Sequence, residues 1–490
     1  PAGRWLFWGG LSPAPPPPGG LPPPRGSPPW GRARAPPGPA PPPDAQAAPS
    51  APEAPGKPGK PEDPSPEKPG PIEPTGLVPK SFPLFGSSGQ VTSGTSFNPA
   101  ISVIPDLVYY RDSVQGGAFG IVEGADGFHG AHPSHEDEHG GLAEGFNLRE
   151  TELAFTASVD PYFDAAALFA ASEEGFETEE VWVGTRRLPA GLKLKAGKFL
   201  SGFGYVNQQH PHQWDFVDQN LAWELLLGDH GLNEKGLQLT WLPKLPFYLQ
   251  LGAELLQGEN EGIASYVGPE NVGPVPVDDG ETPGPDRVLS RKAGPRLVTG
   301  FVKISPDLGY DAALQLGASY ARSAMHQELH DEDEDGIVDE AFEGTVDLYG
   351  LDAVFKLDSA RPRGAGDLVV QAEYLLREKS LGLVGTPDSA RFRQDGLYVQ
   401  AVYGLAPRWQ VAARYDAAGM TNSVREGGES EGFGTSKRVS GALTWNPTEF
   451  SRIRAQYTRG DFFSEGVKKT FDQLFLQLQI SLGAHGVHSF

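Results

Sequence analysis

The segment Asp472-Gln473-Leu474-Phe475-Leu476-Gln477-Leu478-Gln479-Ile480-Ser481-Leu482 alternates apolar and polar side chains. Successive side chains of a strand point to opposite faces. Leu474, Leu476, Leu478, Ile480 and Leu482 therefore share one face. Gln473, Gln477, Gln479 and Ser481 share the other, with Phe475 as its one apolar member. One greasy and one wet face is the pattern of a membrane barrel strand, oily towards lipid and polar towards the lumen.

Outward from this segment the pattern repeats about sixteen times. Strands are predicted at 100–111, 147–159, 164–172, 178–186, 192–199, 235–242, 247–255, 297–304, 311–322, 346–357, 367–377, 396–404, 408–416, 437–445, 451–459 and 472–482. The connections sort into two classes. Short ones at 160–163, 187–191, 242–246, 305–310, 358–366, 405–407 and 446–450 each contain proline, which suits a turn and stops a strand. Longer ones at 112–146, 200–234, 256–296, 323–345, 378–395, 417–436 and 460–471 fall between them, and 173–177 is the one short member of that class. Bacterial barrels have short periplasmic turns and long external loops. The expected fold is thus all-β, a transmembrane antiparallel β-barrel of about sixteen strands over 96–490, with both ends periplasmic. Tyr109, Tyr110, Tyr162, Phe163, Trp241, Phe247, Trp409, Trp445 and Phe450 sit near strand ends, where an interfacial aromatic girdle is expected.

Composition agrees. The net charge of -23 removes the basic face that a nucleic-acid binder needs. The absence of cysteine excludes disulfides and thiolate metal sites. A mean hydropathy of -0.36 is compatible with half-polar barrel strands. Residues 1–95 are Pro-rich and lack periodicity, and are expected to be a disordered segment. The opening Pro1–Leu11 has no signal-peptide pattern, so an export signal is expected to lie outside this sequence.

Three stretches resemble a family of bacterial outer-membrane proteins: Asn98–Ile104, Asp160–Phe163, and Gly202–Phe216, the last containing His210-Pro211-His212-Gln213-Trp214-Asp215-Phe216. The family is porin-like and often labelled zinc-regulated TonB-dependent outer-membrane receptor. The resemblance spans about Phe97–Phe490 and implies an outer-membrane barrel linked to metal supply. TonB-dependent transporters are larger barrels of about 22 strands with a plugged lumen. A Pro-rich N-terminal segment does not fold as a plug. The residues therefore favour a channel with an aqueous lumen for small solutes, metal ions or metal complexes included. The alternatives are a TonB-dependent metal receptor and a surface metal-binding or adhesion barrel.

Four sets of residues carry candidate chemistry. His129, His132, His135, Glu136 and His139 concentrate imidazole and carboxylate ligands suited to Zn²⁺ in the first long loop. Asp331, Asp333, Asp335 and Asp339 stand at positions 1, 3, 5 and 9 of a calcium-loop-like segment with Gly336 at the sharp turn; Phe342 replaces the usual glutamate at position 12. His210, His212, Trp214 and Asp215 lie in a loop expected to fold into the pore, where packing against the inner wall or solute binding are both open. Two histidines at this spacing need further ligands to close a metal site. Arg414, Arg438, Arg452 and Arg454 gather on the lumen face, with Glu152, Glu180, Glu254 and Glu373 elsewhere around the wall; they would either set a transverse field or be solvated inward residues. No nucleophile elbow, phosphate loop or HExxH zinc motif occurs, so no enzyme is expected. No cofactor is required beyond Zn²⁺ and Ca²⁺ in external loops. The expected partners are outer-membrane lipid, lipopolysaccharide and small solutes. The oligomeric state stays open, a trimer among the options.

Overall fold

The computed structural model describes residues 99–128, 141–172, 175–274, 286–330, 338–426 and 429–483. Residues 1–95, the His129–His139 stretch, and Asp331, Asp333 and Asp335 lie outside the described residues.

Sixteen antiparallel strands form the barrel: β1 Ala100–Asp112, β2 Gly145–Ser158, β3 Phe163–Ala171, β4 Phe176–Thr185, β5 Leu192–Leu200, β6 Asn233–Trp241, β7 Tyr248–Leu256, β8 Leu297–Ser305, β9 Ala312–His330, β10 Glu340–Leu357, β11 Leu368–Leu383, β12 Ser389–Ala406, β13 Trp409–Ala418, β14 Ser436–Thr448, β15 Ser451–Ser464 and β16 Val467–Ile480. Each pairs with its sequence neighbours, and β1 closes the cylinder on β16 in the register Asp106–Gln479 to Asp112–Gln473. The short strand Leu482–Gly483 extends this seam, and the hairpin Ser423–Glu426 with Glu429–Gly432 extends β12. A separate hairpin pairs Asn271–Pro274 with Asp286–Val288. Among the described residues, no helix is long and apolar enough to cross a membrane.

Alternation decides which way every strand faces. On β16, Leu474, Leu476 and Ile480 are exposed outwards, while Gln473, Gln477 and Gln479 are at most 2% exposed inside. Phe475 breaks the polar face because it packs inside against the Tyr110 ring, 5.1 Å away. Tyr162, Phe163, Trp241, Phe247, Trp409, Trp445 and Phe450 are exposed near the short-turn end, and Trp409 stacks on Trp445. Tyr109 meets Phe146 edge-on towards the opposite end. Tyr110 corrects the girdle expectation: one position on from Tyr109 it must face inwards, where it is fully buried and its hydroxyl donates to Asp112 at 2.8 Å. A charge on the lipid face is strongly disfavoured. Leu476→Arg, mid-row on β16, is expected to cost about 2–4 kcal/mol in urea unfolding from lipid vesicles.

The middle strands run longer than the sequence pattern indicates. Strand β9 continues to His330 instead of ending at 322, and β10 to β12 extend correspondingly. The ladder persists from His326–Gly344 to His330–Glu340. Residues 323–330 carry no apolar outward row, so the lipid-facing signal ends before the hydrogen bonding does.

Candidate functional site

The expected water-filled lumen is occupied by the chain itself. Residues 201–232, between β5 and β6, fold inwards and pack against the wall. Helix α1 (Ala118–Glu123) and helix α3 (Glu261–Ala264), with helix α2 (Leu221–Leu227) of the inner segment, contribute to one apolar cluster inside the barrel. Helix α2 has clear local causes. Asn220 caps it by accepting from the Trp223 amide at 3.2 Å, and Gly228 ends it at φ 77°. Its Leu221, Trp223 and Leu226 are fully buried. Asn220 before an apolar run and Gly228 after it mark a capped, buried helix within a loop; this is the signal by which sequence reading could have found α2.

The wall is cut to receive the segment. A Cβ on Gly396 would lie 2.7 Å from the Ala222 Cα, and one on Gly350 would lie 2.7 Å from the Phe203 ring. Gly396→Val is therefore expected to overpack the α2 contact at a cost of about 1–3 kcal/mol while leaving the ladder intact. Faster hydrogen exchange of the Ala222–Leu227 amides, with unchanged exchange in β12, would report it.

Charge on the wall matches the polarity of the segment's backbone. Where the segment enters, wall carboxylates accept its N–H groups. Glu254 accepts from Gly202 at 2.8 Å, and Glu373 accepts from Tyr205 and Val206, both at 2.9 Å. Just before the segment, Glu180 accepts from the amide of Leu200, the last residue of β5, at 3.2 Å. Further along, the arginines donate to its carbonyls. Arg452 donates to His212 at 2.9 Å, Arg454 to Trp214 at 2.8 Å, and Arg414 to Asp218 at 3.0 Å and Gln219 at 3.2 Å. Arg438 also reaches the Gln219 carbonyl. Ion pairs reinforce this: Arg414 to Asp218 and Asp416, each at 2.9 Å, and Arg438 to Asp218 at 3.3 Å and Glu224 at 3.1 Å. Buried polar groups are costly unless paired, and here each side supplies what the other lacks.

This sharpens the placement of the lumen arginines. All four point inwards as the alternation requires, yet each is at most 5% exposed, so they are not solvated. Their partners are the segment's carbonyls and carboxylates, which no spacing in the wall strands reveals. Trp214 donates its indole N–H to the Gln209 carbonyl at 3.1 Å, and Asp215 accepts from Gln400 at 2.9 Å. A cavity of about 20 Å³ remains beside Trp214, Asp215 and Arg414, room for about one water. His210 and His212 are buried against Glu152 on β2 and Glu179 and Glu180 on β4. Of the calcium-type set, Asp339 is described; its amide donates to His330 at 2.8 Å and its carbonyl accepts from Arg287 at 2.6 Å.

No family model matches the chain. It is 36% identical over 434 residues to an uncharacterized protein of Aquifex aeolicus (strain VF5), covering 86% of this chain and 87% of that protein. Solved structures similar to it include OprB of Pseudomonas putida, 11% identical with a TM-score of 0.45, covering 79% of this chain and 94% of that one. The outer-membrane channel DcaP of Acinetobacter baumannii is 12% identical with a TM-score of 0.45, covering 79% and 96%. An anion-selective porin from Comamonas acidovorans is 9% identical with a TM-score of 0.45, covering 78% and 99%. A closed antiparallel barrel leaves no strand edge to satisfy in lipid, and this one carries an apolar outer face with exposed aromatics at its rim. The chain is a closed sixteen-stranded β-barrel of the bacterial outer membrane and belongs to the same family as the Aquifex aeolicus protein.

Proposed function

We propose that the protein is an outer-membrane channel for small polar solutes, with residues 201–232 as the constriction that sets what passes. The supporting observation is how the segment is attached. Among the described residues, its backbone hydrogen bonds to other backbone stay within the segment, from Ser201–Leu232 to Gly228–Glu224. Side chains alone join it to the wall. Such contacts can be exchanged for water or solute without breaking a strand ladder. Behind them the wall is lined with Gln, Glu, Arg, Ser and Thr, which a water-filled path tolerates and a purely apolar filling does not require.

Metal ions and their complexes are the solutes implied by the family resemblance. Uptake assays under metal limitation and under phosphate limitation sort them from other small solutes. Current across planar bilayers tests the channel itself. Discrete steps from the purified barrel support passive conduction. A correctly inserted barrel that stays silent even without the inner segment contradicts it, and favours an energised receptor or a surface-binding barrel.

A further inference from the structure

The inner segment and the wall bring together Glu152 on β2, Glu179 and Glu180 on β4, and His210 and His212. The Nδ1 of His210 lies 3.3 Å from Glu179 Oε2 and 3.6 Å from Glu152 Oε2. The Nδ1 of His212 lies 2.9 Å from the same Glu152 oxygen. The two rings are nearly parallel, 9° apart in plane and 6.0 Å between centres. On its other side, His210 Nε2 meets Glu180 Oε1 at 2.8 Å.

Adjacent residues of a regular strand cannot both face the lumen. Here Glu180 pairs with Leu168 and Thr178 with Phe169, so Glu179 is the extra residue of a β-bulge. The bulge turns its carboxylate to the same side as Glu180. Bulges that re-aim a side chain are common beside functional sites.

We propose that Glu152, Glu179 and His210 form a buried site for a divalent first-row transition-metal ion, with Glu180 orienting His210 and His212 bracing Glu152. The donor set is one imidazole and two carboxylates, three protein ligands that leave a fourth position of a tetrahedral ion open, which suits Zn²⁺ and its neighbours. Tetrahedral ligands at about 2.0–2.1 Å from zinc stand about 3.3 Å from one another. The contacts of 3.3 and 3.6 Å lie close to that edge. A neutral imidazole has one N–H and one lone pair. With Nε2–H donated to Glu180, the His210 lone pair is on Nδ1, the atom that faces Glu152 and Glu179. This is the carboxylate–histidine–metal arrangement that fixes a ligand's tautomer. Without the ion a proton on Nδ1 would hydrogen-bond to the same carboxylate oxygens, so binding would release a proton. A bound ion would also tie the inner segment to β2 and β4, on a different stretch of wall from the arginines of β13 to β15.

The test uses the full-length barrel in detergent with Zn²⁺ alone, and with Co²⁺ as a spectroscopic probe. His129, His132, His135 and His139 are first replaced by alanine to remove the loop histidines. One tight Zn²⁺ per chain is expected to remain, with the intense visible bands of tetrahedral Co²⁺. Adding Glu152→Gln and Glu179→Gln is expected to abolish both, and Glu180→Gln alone to weaken binding by roughly 10–100-fold. Heat-modifiable gel mobility identifies folded barrel, and the Glu180→Gln variant keeps all three ligands if the double variant does not fold. Loss of all Zn²⁺ with the loop histidines alone would overturn the proposal. So would binding that the glutamate variants leave unchanged. Neither outcome depends on whether the barrel conducts.

Discussion

Replacing residues 206–227 by a short Gly-Ser link is expected to turn the barrel into an open pore, with steady single-channel current several-fold larger than that of the intact protein. The ladder from β1 to β16 does not use these residues, so the cylinder should still fold. What is removed is the capped helix α2, the Phe216 and Val217 contacts, and the partners of four arginines. A sixteen-stranded barrel without an inner segment leaves an aqueous channel. In that open variant the arginines face water. Neutralising Arg414, Arg438, Arg452 and Arg454 should then move the reversal potential towards cations. A folded deletion variant whose conductance equals that of the intact protein would mean the segment does not limit the path.

The second large effect concerns the arginine clamp. Asp218 and Asp416 have side chains at most 6% exposed, and both pair with Arg414 and Arg438. Replacing both arginines by glutamine leaves two buried carboxylates without their cations. Breaking a buried pair from one side typically costs about 3–5 kcal/mol. The segment, held by side chains, should yield before the barrel does. Limited proteolysis is therefore expected to cut within 201–232 while the barrel keeps its heat-modifiable mobility. Adding Asp218→Asn and Asp416→Asn should recover part of the loss, because of the buried carboxylates only Glu224 then lacks its arginine. Unchanged protease resistance in the double arginine variant would show that the apolar contacts of α2 suffice.

The barrel was legible in the sequence because it follows from a local rule. Leu474, Leu476 and Ile480 against Gln473, Gln477 and Gln479 need only a period of two, and lipid enforces it on every strand. The same rule placed Arg414, Arg438, Arg452 and Arg454 inside. It is silent beyond the lipid, where β9 runs on through Gln327 and Glu328 with no apolar row to mark it. The interior was less legible, since it depends on contacts distant in sequence. Glu152 meets His212 across 60 residues, and Arg454 meets the Trp214 carbonyl across 240. Two histidines one residue apart could not declare a metal site alone; the missing ligands arrive only when β2 and the bulge at Glu179 are brought to them. One clue was local. Asn220, the run Leu221–Leu227 and Gly228 spell a capped helix too apolar for an external loop.

The central claim, that the lumen is filled by the chain's own segment, meets its most direct test in thiol accessibility, since the chain contains no cysteine. Leu226 is fully buried on α2, whereas Glu465 lies in the exposed turn between β15 and β16. A membrane-impermeant maleimide applied to outer-membrane vesicles should label Glu465→Cys completely and leave Leu226→Cys unreacted. Combining Leu226→Cys with Gly396→Val should restore labelling. Full labelling of Leu226→Cys alone, at the rate seen for Glu465→Cys, would contradict the filled lumen.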